Sequence, residues 1–212
     1  KNLHLMSLYA VTQDTSYINT TILDGGHNSN VIYSYYPSEG ITLTGMTITN
    51  GYCNMDIEGG FHHGAGVMSF GGNTTISNCK IENNYSERRG GGIYIATGTL
   101  YLSGSIIRFN VAVEGGGGLC FGNDEIIFDA EDLNSIYGNY GAYGTDILNG
   151  LNSDYEYYFP MKKGTSNPPN SFYYRNHTNE IFDVSYEETY INETCQEVYV
   201  SPEGDNANDG LS

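Results

Sequence analysis

Apolar positions in this chain recur at long, nearly constant intervals instead of at the period of a helix. One column runs Ile22, Ile48, Ile81, Ile107 and Ile136, with separations of 26, 33, 26 and 29. A second runs Leu43, Ile76, Leu102 and Phe128 at 33, 26 and 26, and a third runs Val67, Ile93, Leu119 and Ile147 at 26, 26 and 28. Three columns sharing a step of 26 residues define a repeat, and the departures are whole-residue insertions in the second and fifth units. No window of 11 to 18 residues carries a sustained helical stripe. The pattern predicts an all-β chain of about five coils, in which short strands stack on their counterparts one unit later at about 4.8 Å. Strand-like sequence begins at once, with LHLMSLYA at 3–10. Ile107 is expected to point inward and Arg108 outward, so that Ile107→Asp should unfold the coil and Arg108→Asp should be nearly silent.

The polar positions repeat with the apolar ones. Three residues after the first column stand Gly25, Gly51, Asn84, Asn110 and Asn139. Gly and Asn tolerate positive φ, so this column is expected to turn a corner in the left-handed conformation. Stacked asparagine amides can also hydrogen-bond along such a column. A glycine-rich step precedes the third column: Gly64-Ala-Gly66, Gly90-Gly-Gly92, Gly115 through Gly118, and Gly141-Ala-Tyr-Gly144. The backbone can bend there with no side chain in the way.

The runs TTILDGG (20–26), LTGMTITNG (43–51), ISNCKIENNYSERRGGGIYI (76–95) and LSGSIIRFNVAVEGGGGLCF (102–121) carry a family resemblance. They resemble the right-handed parallel β-helix proteins of the pectin-lyase-like fold, and within them the adhesin-like and polymorphic outer-membrane-protein repeats of bacteria. GGGI (90–93) is similar to the GGAI signature of those repeats, and RFN (108–110) carries part of their FxxN signature. The resemblance implies a right-handed solenoid over residues 1–150. It says little about activity, since the fold hosts lyases, hydrolases and binding proteins alike.

From 151 to 197 the 26-residue step disappears, and a Tyr-rich stretch with Pro160, Pro168 and Pro169 follows, expected to be a cap and linker with a few strands. The last segment, VYVSPEGDNANDGLS (198–212), resembles the opening strand and first loop of a second β-helix module, which implies further domains of the same polypeptide.

Charge then narrows the partners. Eight Lys and Arg against 25 Asp and Glu leave a formal charge of −17, which repels a phosphate backbone, so no nucleic acid is expected. No apolar run is long enough to span a bilayer. Cys53, Cys79, Cys120 and Cys195 have no CxxC spacing, and free, partly buried thiols are the simpler reading.

The densest collection of reactive side chains is the insertion GYCNMDIEGGFHHG (51–64), whose spacing matches no known set of metal ligands. A solvated loop is the simpler reading. The 26-residue step places His62, Arg88 and Glu114 in one column, where Arg88 and Glu114 are expected to pair across neighbouring coils. With Arg89 and either Tyr85 or Tyr94 these residues could form a shallow sugar-binding face, against the plainer reading of a surface charge ladder. No cofactor is expected. Calcium is the one ion with a candidate segment, DNANDG (205–210), but Ala207 offers no oxygen and no closing Glu follows.

Lyases of the resembled fold use calcium-binding acids beside a catalytic Arg or Lys, and its hydrolases a cluster of Asp. Here Asp24, Asp56, Asp129, Asp132 and Asp146 share no column position. The expectation is a non-enzymatic, exported structural or adhesin-like protein of the bacterial cell surface or outer membrane, with a polysaccharide or cell-surface glycan as partner. The alternative is a polysaccharide lyase or glycoside hydrolase.

Overall fold

The computed structural model describes residues 3–35, 40–54, 63–122, 125–150 and 157–164, together with the strand backbones at 173–174 and 180–184. Among these residues the chain is mostly β, and every strand pair is parallel. Three sheets form. The first runs, in spatial order, Leu3–Met6, Ile41–Thr44, Val67–Ser77, Ile93–Ser103, Leu119–Phe121, Ile147–Asn149 and Tyr173–Tyr174. Ile32–Tyr35 also pairs with Val67–Ser77, and Glu125–Phe128 with Ile93–Ser103. The second runs Ile22–Asp24, Thr47–Thr49, Lys80–Glu82, Ile106–Arg108, Asn134–Tyr137, Tyr157–Gly164 and Glu180–Val184. The third is Tyr52–Cys53, Tyr85–Ser86, Val111–Gly115 and Tyr140–Tyr143. Stacked parallel sheets visited in rotation are compatible with a β-helix-like solenoid.

The apolar columns become the core because parallel pairing sets like residue upon like. Ile48, Ile81, Ile107 and Ile136 are in register and fully buried. Leu43, Ile76, Leu102 and Phe128 stack in the same way, as do Val67, Ile93, Leu119 and Ile147. One member differs from the expectation. Leu23, not Ile22, lies opposite Ile48, and Ile22 is 52% exposed. The first repeat is therefore one residue shorter than the 26-residue step, and a shift of one residue in a strand exchanges its two faces.

One further difference lies near residue 3. Of LHLMSLYA, only Leu3–Met6 is strand, and short helices follow at Tyr9–Thr12 and Ser16–Thr20. The hydroxyl of Ser7 donates to the carbonyl of Gly45 and accepts from the N–H of Tyr9, which turns the chain out of the strand. At the other end parallel pairing continues past residue 150 into the segment expected as a cap. Tyr157–Gly164 pairs with Asn134–Tyr137, and Glu180–Val184 pairs with Tyr157–Gly164. Tyr157 and Phe159 meet Phe121 and Phe128 with ring centroids 4.9 to 6.3 Å apart, so aromatic rings extend the core there. Residues 185–212, including Cys195 and DNANDG, lie outside the described residues.

Outward residues of the second sheet also stack. Glu82, Arg108 and Tyr137 are in register. Arg108 Nε donates to Glu82 Oε2 at 2.7 Å and its Nη1 donates to the Tyr137 hydroxyl at 3.2 Å. The guanidinium also lies 5.1 Å from the Phe109 ring centroid. Arg108 is thus outward but engaged, so Arg108→Asp is not silent: it places two carboxylates opposite one another. Ile107→Asp should remove more than about 4 kcal/mol and abolish the cooperative unfolding transition. Arg108→Asp should keep that transition and lower stability by about 1 kcal/mol. Urea unfolding followed by circular dichroism separates the two, and equal loss in both would refute this register.

Candidate functional site

The most ordered polar constellation lies inside the solenoid. Asn84, Asn110 and Asn139 are buried and form a ladder: Asn84 Nδ2 donates to Asn110 Oδ1 at 2.9 Å, and Asn110 Nδ2 donates to Asn139 Oδ1 at 3.0 Å. Each Oδ1 also accepts the backbone N–H of the residue one coil earlier, as in Asn84 N to Asn110 Oδ1 at 3.1 Å. Gly51 begins the ladder by donating its N–H to Asn84 Oδ1 at 2.8 Å. Asp146, also buried, ends it by accepting from Asn139 Nδ2 at 2.7 Å. Gly25 is not part of it, since its N–H bonds to the Thr49 carbonyl instead.

This ladder does not take the left-handed conformation expected of it. The positive-φ residues stand one place earlier, at Asn50, Asn83, Phe109 and Gly138, with φ between 55° and 64°. The corner therefore turns at those residues, which frees the next side chain to point inward. A second row of left-handed corners falls in the glycine steps, at Gly64, Gly90, Gly116 and Gly144.

The glycines one step further on explain why the ladder fits. A Cβ on Gly92 would lie 2.6 Å from the Gly118 carbonyl oxygen and 3.0 Å from Asn110 Nδ2. Gly66 meets Asn84 Nδ2 and Gly118 meets Asn139 Nδ2 in the same way, each at 2.9 Å. None of the three has a positive φ, so space and not conformation demands glycine. A smaller polar row occupies another corner, where Ser105 Oγ accepts from Cys79 N and Asn134 Oδ1 accepts from Ser105 N.

The surface candidates are arranged differently from the expectation. His62 lies outside the described residues. Arg88 and Glu114 are neighbours in backbone, the N–H of Glu114 donating to the Arg88 carbonyl at 2.8 Å. The ion pair, however, joins Glu114 to Arg89, Nε to Oε2 at 3.2 Å, with the side chains 40% and 43% exposed. An exposed pair of this kind contributes about 0.2–1 kcal/mol. Arg88 Nε is buried with no hydrogen-bond partner among the described residues. Tyr85 and Tyr94 do not share a face: Tyr85 stacks on Tyr52 in the third sheet, with centroids 5.6 Å apart, and Tyr94 stacks on His63 from the first sheet, at 4.3 Å.

An open groove of about 490 Å³ lies on the outer face of the second sheet. Ile106, Leu133 and Tyr137 line it, together with the charged residues Glu131, Asp132, Lys162 and Lys163. Sequence reasoning missed it because the lysines fall in the stretch without the 26-residue step. Among the described residues, no group of three or more His, Cys, Asp or Glu is placed to hold a metal, and no helix is long and apolar enough to cross a membrane.

No protein-family profile, curated protein or solved structure matches the chain.

Cys53 and Cys79 are free thiols, and both are buried, as is Cys120. Burial pushes the Cys53 and Cys79 thiols from near 9 up to about 11. Between those values the folded chain holds protons that the unfolded chain releases, so these thiols leave stability unchanged below pH 9 and lower it as pH rises toward 11. Urea midpoints from pH 7 to 10.5 check this, and Cys53→Ser with Cys79→Ser should flatten the fall. For the ladder, Asn110→Ala should lower stability by about 3 kcal/mol, because it strands the buried backbone N–H of Asn84 and takes a donor from the Ile81 carbonyl. Gly92→Ala should remove about 1–3 kcal/mol, and less when Asn110→Ala is also present, since part of its clash is then gone. A double-mutant cycle with no coupling would disconnect the glycine column from the ladder.

Proposed function

We propose that this chain is a right-handed parallel β-helix, of about five coils to Gly150, that acts as a non-enzymatic adhesin-like or spacer module exported to a bacterial surface. Its expected partner is a polysaccharide or cell-surface glycan. The observation that carries the reading is the use made of its scarce basic side chains. Lys80 Nζ donates to Asn19 Oδ1 at 2.6 Å, Arg89 holds Glu114, and Arg108 holds Glu82 and Tyr137. Each fastens one coil to another, where a lyase needs a base turned toward substrate. The interior ladder supports the same reading, because it supplies length and stiffness without chemistry. A net charge of −17 favours solubility at an exposed surface.

One observation favours a second reading, a polysaccharide lyase: the Arg88 Nε without a hydrogen-bond partner among the described residues. A single experiment separates the two. The purified chain is passed over immobilised polysaccharides, and the eluate is assayed for reducing and unsaturated sugar ends. Retention without release is expected. Release that disappears on Arg88→Ala would establish the lyase instead.

A further inference from the structure

We propose that the outer face of the third sheet binds an uncharged pyranose ring of a glycan, in a gap of its tyrosine column between Tyr85 and Tyr140. Cys53, Ser86, Ala112 and Gly141 are buried, one on each strand of that sheet. Strand residues alternate between faces, so the residues just before them, Tyr52, Tyr85, Val111 and Tyr140, point outward. Parallel pairing sets those four in register. Tyr52 and Tyr85 occupy adjacent coils and stack, with centroids 5.6 Å apart and planes 11° apart. The next coil breaks the series with Val111, and the coil after it restores an aromatic ring with Tyr140, which is 60% exposed. The result is an aromatic column with one ring missing.

Spacing and charge decide what fits the gap. Neighbouring strands stand about 4.8 Å apart, so the strands of Tyr85 and Tyr140 are about 9.6 Å apart, and a guest ring over Val111 would lie about 4.8 Å from each, within the roughly 4.5–7 Å at which ring centroids attract. Val111 offers an apolar floor, and exposed Val113 extends it along the same strand. The C–H face of a pyranose suits such a surface, while its hydroxyls meet the phenol groups of Tyr85 and Tyr140, which both donate and accept. Tyrosine has few torsions to fix, so holding a ligand between two of them costs little ordering. The four outward residues carry no charge, and the flanking carboxylates are engaged: Glu87 accepts from the Tyr52 hydroxyl at 2.9 Å, and Glu114 is paired with Arg89. At a net charge of −17 the chain repels a ligand bearing phosphate, sulfate or carboxylate, and it repels a second copy of itself for the same reason. An uncharged sugar meets neither obstacle.

The site rests on the glycan-binding part of the reading above and names its place and its class of sugar. The test measures retention of the full chain on an array of neutral, carboxylated and sulfated saccharides. Neutral pyranose chains should be retained over anionic ones. Tyr140→Ala should weaken that retention at least tenfold at unchanged melting temperature. Val111→Tyr supplies the missing ring and should weaken it as much, whereas Val111→Ala keeps the gap open and should leave it within about twofold. Tyr101→Ala, at an exposed tyrosine of the first sheet, should change nothing. Retention that survives both Tyr140→Ala and Val111→Tyr would overturn the gap while leaving glycan binding intact. Preference for carboxylated or sulfated saccharides would overturn the uncharged assignment. Dimerisation in sedimentation that disappears with Tyr140→Ala would give the face to a second copy of the chain instead. Failure to retain any glycan would remove both the site and the binding role beneath it.

Discussion

The structure depends on a shortage of space at one corner. The asparagine ladder and the glycine column of Gly66, Gly92 and Gly118 occupy adjoining volumes, and each glycine stops where a Cβ would strike an asparagine amide. Neither column can change alone. A buried amide is tolerable only when its donors and acceptor are used, and Asn110 and Asn139 meet that condition through the next coil and through the carbonyls of Ile81 and Ile107. Parallel pairing then transmits the same spacing to the apolar columns, so the register of all three sheets is pinned from inside.

Variation is pushed outward as a result. The insertion that lengthens the second unit leaves the Ile48 to Ile81 pairing unbroken, and the bulge at Lys162, between the Asn134–Met161 and Ser135–Lys163 pairs, leaves Phe159 and Met161 buried. A solenoid of this type holds its interior constant and alters its exterior one coil at a time. Charge follows the same division: Arg89 and Arg108 tie coils together on the surface, while the polar interior is built almost wholly from neutral amides and hydroxyls.

Much of the fold was legible because stacking repeats identity. Ile81, Ile107 and Ile136 stand in one column of the sequence and in one row of the core. What escaped were departures by a single residue. Adjacent Ile22 and Leu23 are equally apolar, and counting in steps of 26 selects the wrong one. The left-handed corner precedes the asparagines, and its occupants Asn50, Asn83, Phe109 and Gly138 share no obvious chemistry. Side-chain direction also decides partners: the count set Arg88 against Glu114, but the guanidinium that reaches the carboxylate belongs to Arg89. The groove was invisible because its lysines reach it through a bulge, which no periodicity announces.

The end of the ladder has an electrical consequence. Each asparagine amide in it sends one N–H forward, from Asn84 through Asn110 to Asn139 and on to Asp146, and also donates back to a carbonyl of the preceding coil, so the forward bonds run head to tail along the row. Their positive end meets the carboxyl group of Asp146, the arrangement by which a helix N-terminus steadies an anion. A fourth asparagine there would need a further acceptor for its own N–H, whereas a carboxylate needs none. The row is therefore a polarised wire with one terminal, and its direction is that of the chain.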